Sequence, residues 1–213
     1  MKINRNNMVI TIDTEIGSNG EEVARALAQQ LNIPCYAGEI LDKASELSGI
    51  PARLLHRYDG RAVHAAYDLL AEDVSALRMP KAADFVIAQE TACKELAGQG
   101  PCILVDHHAS MALEGREDLV RIFVHANFSD RVQVFASNMH VTAQDAEVKL
   151  KKADHAYRGY YRGSYKGWGN AENYDLSVNA SDADVAAMAR TVLGFVESIT
   201  GEKLVEHSES KAV

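Results

Sequence analysis

Hydrophobic positions along this chain follow two alternating patterns. Met8-Val9-Ile10-Thr11-Ile12 is a short β-branched run, broken by Gly17-Ser18-Asn19-Gly20. Beyond the break, Val23, Leu27 and Leu31 recur at helical spacing with Ala24 and Ala28 beside them. This predicts a strand, a loop and a helix. Pro101 to Asp106 is a second apolar run, and its lack of alternation predicts a strand buried on both faces. Val120 to His125 is a third strand and Tyr174 to Asn179 a weaker fourth. Helical periodicity covers Ala83 to Ala97 and the series Val185, Met188, Val192, Phe195 and Ile199, with Ser181 or Asp182 as the expected cap. Strands alternating with helices predict a parallel α/β sheet. Ligands in such sheets sit at the carboxyl ends of strands, which directs attention to the loops after Ile12, Val105 and His125.

Composition narrows the class. The 213 residues are 47% hydrophobic, enough for a sizeable core, and they exclude a disulfide mini-protein or a disordered tail. No repeat or low-complexity linker interrupts them, so one domain is expected over 1–201, followed by a flexible tail at 202–213. The net charge of −8 argues against binding to duplex nucleic acid or anionic membranes, so an anionic ligand has to be held locally. The apolar run after the polar N-terminus is too short for a signal segment or membrane span, and the expectation is a soluble cytoplasmic protein. Cys35, Cys93 and Cys102 form no C-x-x-C pair and read as reduced thiols.

The loop after the first strand is the first candidate for chemistry. Its glycines and the following helix start present backbone N–H groups to an anion, making Gly17, Ser18, Asn19 and Gly20 candidate phosphate ligands. An ordinary strand-to-helix turn would use the same residues. The Walker signature itself is absent: its four fixed positions are Thr14, Asn19, Gly20 and Glu21.

Asp106 ends an apolar strand in the manner of a Walker B acid, which makes it a candidate Mg²⁺ ligand; the alternative is a carboxylate capping the turn. His107 and His108 follow it, but adjacent side chains on extended backbone point to opposite faces and do not share one metal. Lys149, Lys151, Lys152, Arg158, Arg162 and Lys166 concentrate positive charge on an otherwise acidic chain, either as an anion site or as a solvated helix face. Tyr157, Tyr160, Tyr161, Tyr165 and Trp168 interleave with them, a pattern that also suits stacking of unpaired bases. A single-stranded nucleic-acid binder is therefore one reading of this segment, and aromatic packing against the sheet is another.

Ile10-Thr11-Ile12-Asp13, Gly17-Ser18 and Leu31-Asn32-Ile33-Pro34 together resemble the opening of the cytidylate kinase-like family. Gly100 to Val105, Val120 to Ala126 with Asp130-Arg131, Asp154, Tyr160-Tyr161, Trp168-Gly169, Tyr174-Asp175-Leu176 and Asn179 continue the resemblance in order. It implies a three-layer, parallel-sheet P-loop NTPase fold of the nucleoside monophosphate kinase type. It further implies ATP as donor, Mg²⁺, and a nucleotide or other phosphate-bearing small molecule as acceptor. The segment at about 149–170 corresponds to a lid, in which Arg158, Arg162, Lys151, Lys152, Tyr160 and Tyr161 would meet substrate. Arg131 corresponds to a charge-neutralising arginine, with a helix-surface salt bridge as its alternative. The family's arginines after the first and second of these strands are Thr14 and His107 here, His107 remaining a candidate to touch a substrate phosphate; the family's arginine before the Tyr-Tyr pair is Tyr157, and Glu21 and Glu22 open the helix beside the loop. These departures raise a second expectation, a catalytically inactive relative acting as a ligand sensor or interaction module.

Overall fold

The computed structural model describes residues 3–58, 80–162 and 168–204. The first apolar run forms β1 (Val9–Thr14), all six residues buried. It leads through the glycine-containing loop into α1 (Gly20–Leu31), whose Val23, Ala24, Leu27, Ala28 and Leu31 are buried as their spacing requires. There follow β2 (Cys35–Tyr36), α2 (Glu39–Ser48), α3 (Ala52–Tyr58) and α4 (Ala82–Gly98), then β3 (Cys102–Val105) and the one-turn α5 (Ala109–Ala112). The remainder is β4 (Leu119–His125), α6 (Phe128–Met139), α7 (Ala143–Arg162), a 3₁₀ turn at Ala171–Asn173, β5 (Leu176–Asn179) and α8 (Val185–Thr200).

The sheet is wholly parallel in the order β2-β3-β1-β4-β5. With β1 central, both its faces must be covered, which is why the run shows no alternation. Met8, Ile10 and Ile12 pack with Ile103, Val105 and Ile122 against α1 and α8. Val9 packs with Cys102 and Leu104 against α2, α3 and α4 on the opposite face. A third cluster, Val132 with Ala146 and Leu150, joins α6 to α7. The result is the expected three-layer α/β architecture.

Several expectations need correction. The two-residue β2 is too short for periodicity to reveal. Helix α8 is capped by Asp184, whose carboxylate accepts the N–H of Ala187 at 2.6 Å, and not by Ser181 or Asp182; Ser181 instead accepts the N–H of Asn127. The stretch expected to be loose from Glu202 is anchored at its start, because Leu204 is buried in the core and its N–H reaches Glu197. Residues 205–213 lie outside the described residues. Among the described residues, no helix is long and apolar enough to cross a membrane.

Candidate functional site

The parallel register pairs Ile12 with Val105, so Asp13 and Asp106 leave adjacent strands at the same carboxyl edge. The chain turns sharply there. After β3, Asp106, His107 and His108 have φ of 57°, 51° and 63°, a left-handed run in residues that carry side chains. Such residues cost of order 1–3 kcal/mol each and persist only where surroundings hold them. Here Asp106 is held firmly: one oxygen accepts the N–H of Thr14 at 2.8 Å and the O–H of Tyr157 at 3.2 Å, and the other accepts the Thr14 hydroxyl at 2.9 Å. Asp106 is thus tied to the last residue of β1 and to α7. Asp13 accepts a hydrogen bond from the hydroxyl of Tyr174 at 2.8 Å.

The loop is a tight turn in which the Ser18 N–H donates to the Glu15 carbonyl at 3.1 Å. Gly17 has φ +81°, and a Cβ there would lie 2.8 Å from the carbonyl oxygen of Arg131. Asn19 is left-handed at 57° and caps α1 through its carbonyl, which accepts the N–H of Val23. Ser18 turns its hydroxyl to the carbonyl of Val124 at 3.2 Å, so that hydroxyl is spent on the sheet. A Cβ on Gly20 would sit 2.3 Å from the Thr14 methyl, so Thr14 fills the space beneath the helix start. The hollow above the loop measures about 190 Å³ and is lined by Glu15, Glu21 and Glu22, by Thr14, and by Val134, Phe135 and Asn138 of α6. Among the described residues, no lysine or arginine lines it.

Arg131 is not the surface pair considered from sequence. Its side chain is 3% exposed, with Nη1 and Nη2 at 3.1 and 2.5 Å from the Asp154 carboxylate and Nε donating to the carbonyl of Ile16 at 2.7 Å. Glu15 lies 3.4 Å from the same guanidinium. The aromatic residues of the predicted lid are likewise partly inside: Tyr157 is buried and meets Trp168 edge-on at 4.9 Å, and Trp168 meets Phe123 edge-on at 5.5 Å. Phe123 stacks on Tyr174 at 5.0 Å. Tyr157 and Trp168 thus pack against the sheet, as the second of the two readings of these aromatics expects.

His107 and His108 are both buried on the left-handed turn, which corrects the extended backbone expected there. His108 Nδ1 lies 3.2 Å from the Gln89 side-chain oxygen. His107 lines a second cleft of about 450 Å³ with Glu21, Arg25, Glu39, Asp42 and His56. Lys152 and Arg158 are exposed on α7, and Lys151, also exposed, pairs with Glu147 at 2.6 Å and lies over the Phe128 ring. Tyr160, Tyr161 and Arg162 fall in the helical range of α7, but their side chains, like Tyr165 and Lys166, lie outside the described residues. Among the described residues, no group of three or more His, Cys, Asp or Glu side chains is arranged to hold a metal ion.

The sequence drew attention to Asp106, Arg131 and the loop glycines, and the fold does bring them together. What it did not expose is their partners. Asp154 is 23 residues from Arg131, and Tyr157 is 51 from Asp106, distances at which no local pattern reports a contact. Asp13 and Glu15 were legible only as acids following an apolar strand.

Comparisons with known proteins agree with this architecture. A sequence profile described as the cytidylate kinase-like family matches residues 9–182. No curated protein sequence matches. Among solved structures, an uncharacterized protein from Eubacterium ventriosum superposes with a TM-score of 0.65 at 21% identity, covering 90% of this chain and 99% of that one. A shikimate kinase from Acinetobacter baumannii, in complex with shikimate, gives 0.54 at 12% identity, covering 90% and 93%. A deoxyadenosine kinase from M. mycoides gives 0.50 at 10% identity, covering 90% and 100%. At these identities the likeness is one of fold: that of the P-loop kinases.

Proposed function

Because the chain belongs to the cytidylate kinase-like family, we propose that it is a catalytically silent member, a small-molecule sensor or interaction module on a kinase fold. Family and fold point to a nucleotide or small-molecule kinase type of protein. The observation that carries the silent reading is the lining of the loop hollow: among the described residues no lysine or arginine lines it, whereas Glu15, Glu21 and Glu22 do, Glu15 being paired with Arg131 and Glu21 with Arg25 from outside the lining. Phosphoryl transfer is catalysed by positioning and charge neutralisation, and each missing preorganised donor costs about 3–4 kcal/mol of transition-state stabilisation.

ATP with Mg²⁺ would have to share or displace contacts that the candidate residues already make. Asp106 accepts from Thr14 and Tyr157, and the Arg131 guanidinium is engaged by Asp154, Glu15 and the Ile16 carbonyl. The ligand this reading favours is a phosphate-bearing small molecule of lower charge, in a cytoplasmic setting, without duplex nucleic acid or a membrane as partner.

One observation favours a second reading, ATP-dependent transfer to a nucleotide. The loop backbone is retained at Gly17 and Asn19, and Arg158 is exposed on α7, from which it could supply charge if the helix closed further. A coupled assay with ATP and CMP or dCMP, with and without Mg²⁺, separates the two. The silent reading expects no transfer above the protein-free rate. Transfer that requires Mg²⁺ and is lost in Gly17→Val would replace it with the kinase reading.

A further inference from the structure

Helix α7 crosses the edge of the loop with Asp154 and Tyr157 one turn apart on its inner face. Asp154 takes two guanidinium nitrogens of Arg131, the buried arginine whose Nε–H donates to the loop carbonyl of Ile16. Tyr157 donates its hydroxyl to Asp106 at the end of β3. Behind them, Trp168 packs edge-on against Tyr157 and Phe123, so this end of α7 is wedged against the sheet by aromatic contact as well as by hydrogen bonds.

We propose that α7 is an autoinhibitory strap, with Asp154 and Tyr157 as its two pins. A carboxylate and a phosphate offer a guanidinium the same paired acceptor oxygens, so Asp154 occupies the position on Arg131 that an incoming phosphate would take. Tyr157, three residues on, holds Asp106 in the same closed arrangement. A phosphate bound at the loop therefore competes with Asp154 and loosens Tyr157, releasing this end of α7 while Ala146 and Leu150 stay packed on α6. Glu15 stays beside Arg131 after the strap leaves, at 3.4 Å in the closed state, which limits the phosphate to low charge. This inference concerns access to the loop and stands apart from the loss of transfer chemistry, which concerns the loop's own charge.

The test titrates the full chain with inorganic phosphate by calorimetry, comparing wild type with Asp154→Asn, Tyr157→Phe and the double variant. The strap predicts that the double variant binds phosphate about tenfold more tightly than wild type, within the usual range of coupling between two states, with each single variant between them. A folded double variant that binds no more tightly than wild type overturns it. Should the variants fail to fold, amide hydrogen exchange on wild type decides: faster exchange over residues 150–158 as phosphate is added supports displacement, and unchanged or slower exchange overturns it. ATP turnover in the same samples judges the silent reading separately, since turnover by wild type would defeat that reading while leaving the strap to the phosphate affinities.

Discussion

Thr14 stands at the centre of the account at the residue scale. It gives Asp106 both an N–H and an O–H, and its methyl occupies the space under Gly20. A methyl added at Gly20 has nowhere to go, so Gly20→Ala should destabilise the fold by about 2 kcal/mol, as overpacking does. Thr14→Ser removes the obstructing methyl while keeping the hydroxyl, so the double variant should recover part of that loss. Urea denaturation of the four species measures the coupling, and strict additivity would show that the two residues do not meet. Tyr157→Phe deletes a hydrogen bond to a carboxylate and should cost about 1.5–3 kcal/mol by the same measurement. The sequence announced Asp106 as a strand-end acid but could not show what its oxygens hold, because both partners are brought in by tertiary structure.

Elements were legible in proportion to their length and periodicity. The strands β1, β3 and β4, and helices α1, α4 and α8, follow directly from apolar runs, since a central parallel strand has no solvent face and a surface helix has one buried stripe. What escaped was decided by single contacts. Strand β2 pairs with β3 only through Cys35 and Tyr36. The start of α8 depends on which of Ser181, Asp182 and Asp184 reaches a free N–H, and it is Asp184. Replacing Asp184 by Ala should cost about 1 kcal/mol in a thermal or urea melt, whereas Asp182→Ala should cost almost nothing. The candidate site was legible as a place, the carboxyl edge of β1 and β3, but its self-occupied state was not, because α7 closes it through residues far along the chain.

The whole molecule carries its three cysteines reduced and screened from water to different degrees. Burial pushes the Cys35 and Cys102 thiols up from their ordinary value to about 11, and the Cys93 thiol higher still. The unfolded chain loses these protons from its ordinary thiol value near 9, while the folded chain keeps those of Cys35 and Cys102 until about 11. Between those limits the unfolded state binds fewer protons, so stability falls as pH rises. Urea midpoints measured across that window should decline, and Cys35→Ala with Cys102→Ala should flatten the decline; an unchanged slope would place its origin elsewhere.

A loop hollow lined by carboxylates and, among the described residues, by no lysine or arginine should leave MgATP unbound on this P-loop kinase fold. The most direct test is the melting temperature of the wild-type chain titrated with MgATP. A ligand at about 100 times its dissociation constant adds about 2.7 kcal/mol of apparent stability, so working affinity could not be missed. The account predicts no shift up to millimolar MgATP. A saturable upward shift at micromolar concentrations, abolished by Gly17→Val, would contradict it and restore the loop as a triphosphate site.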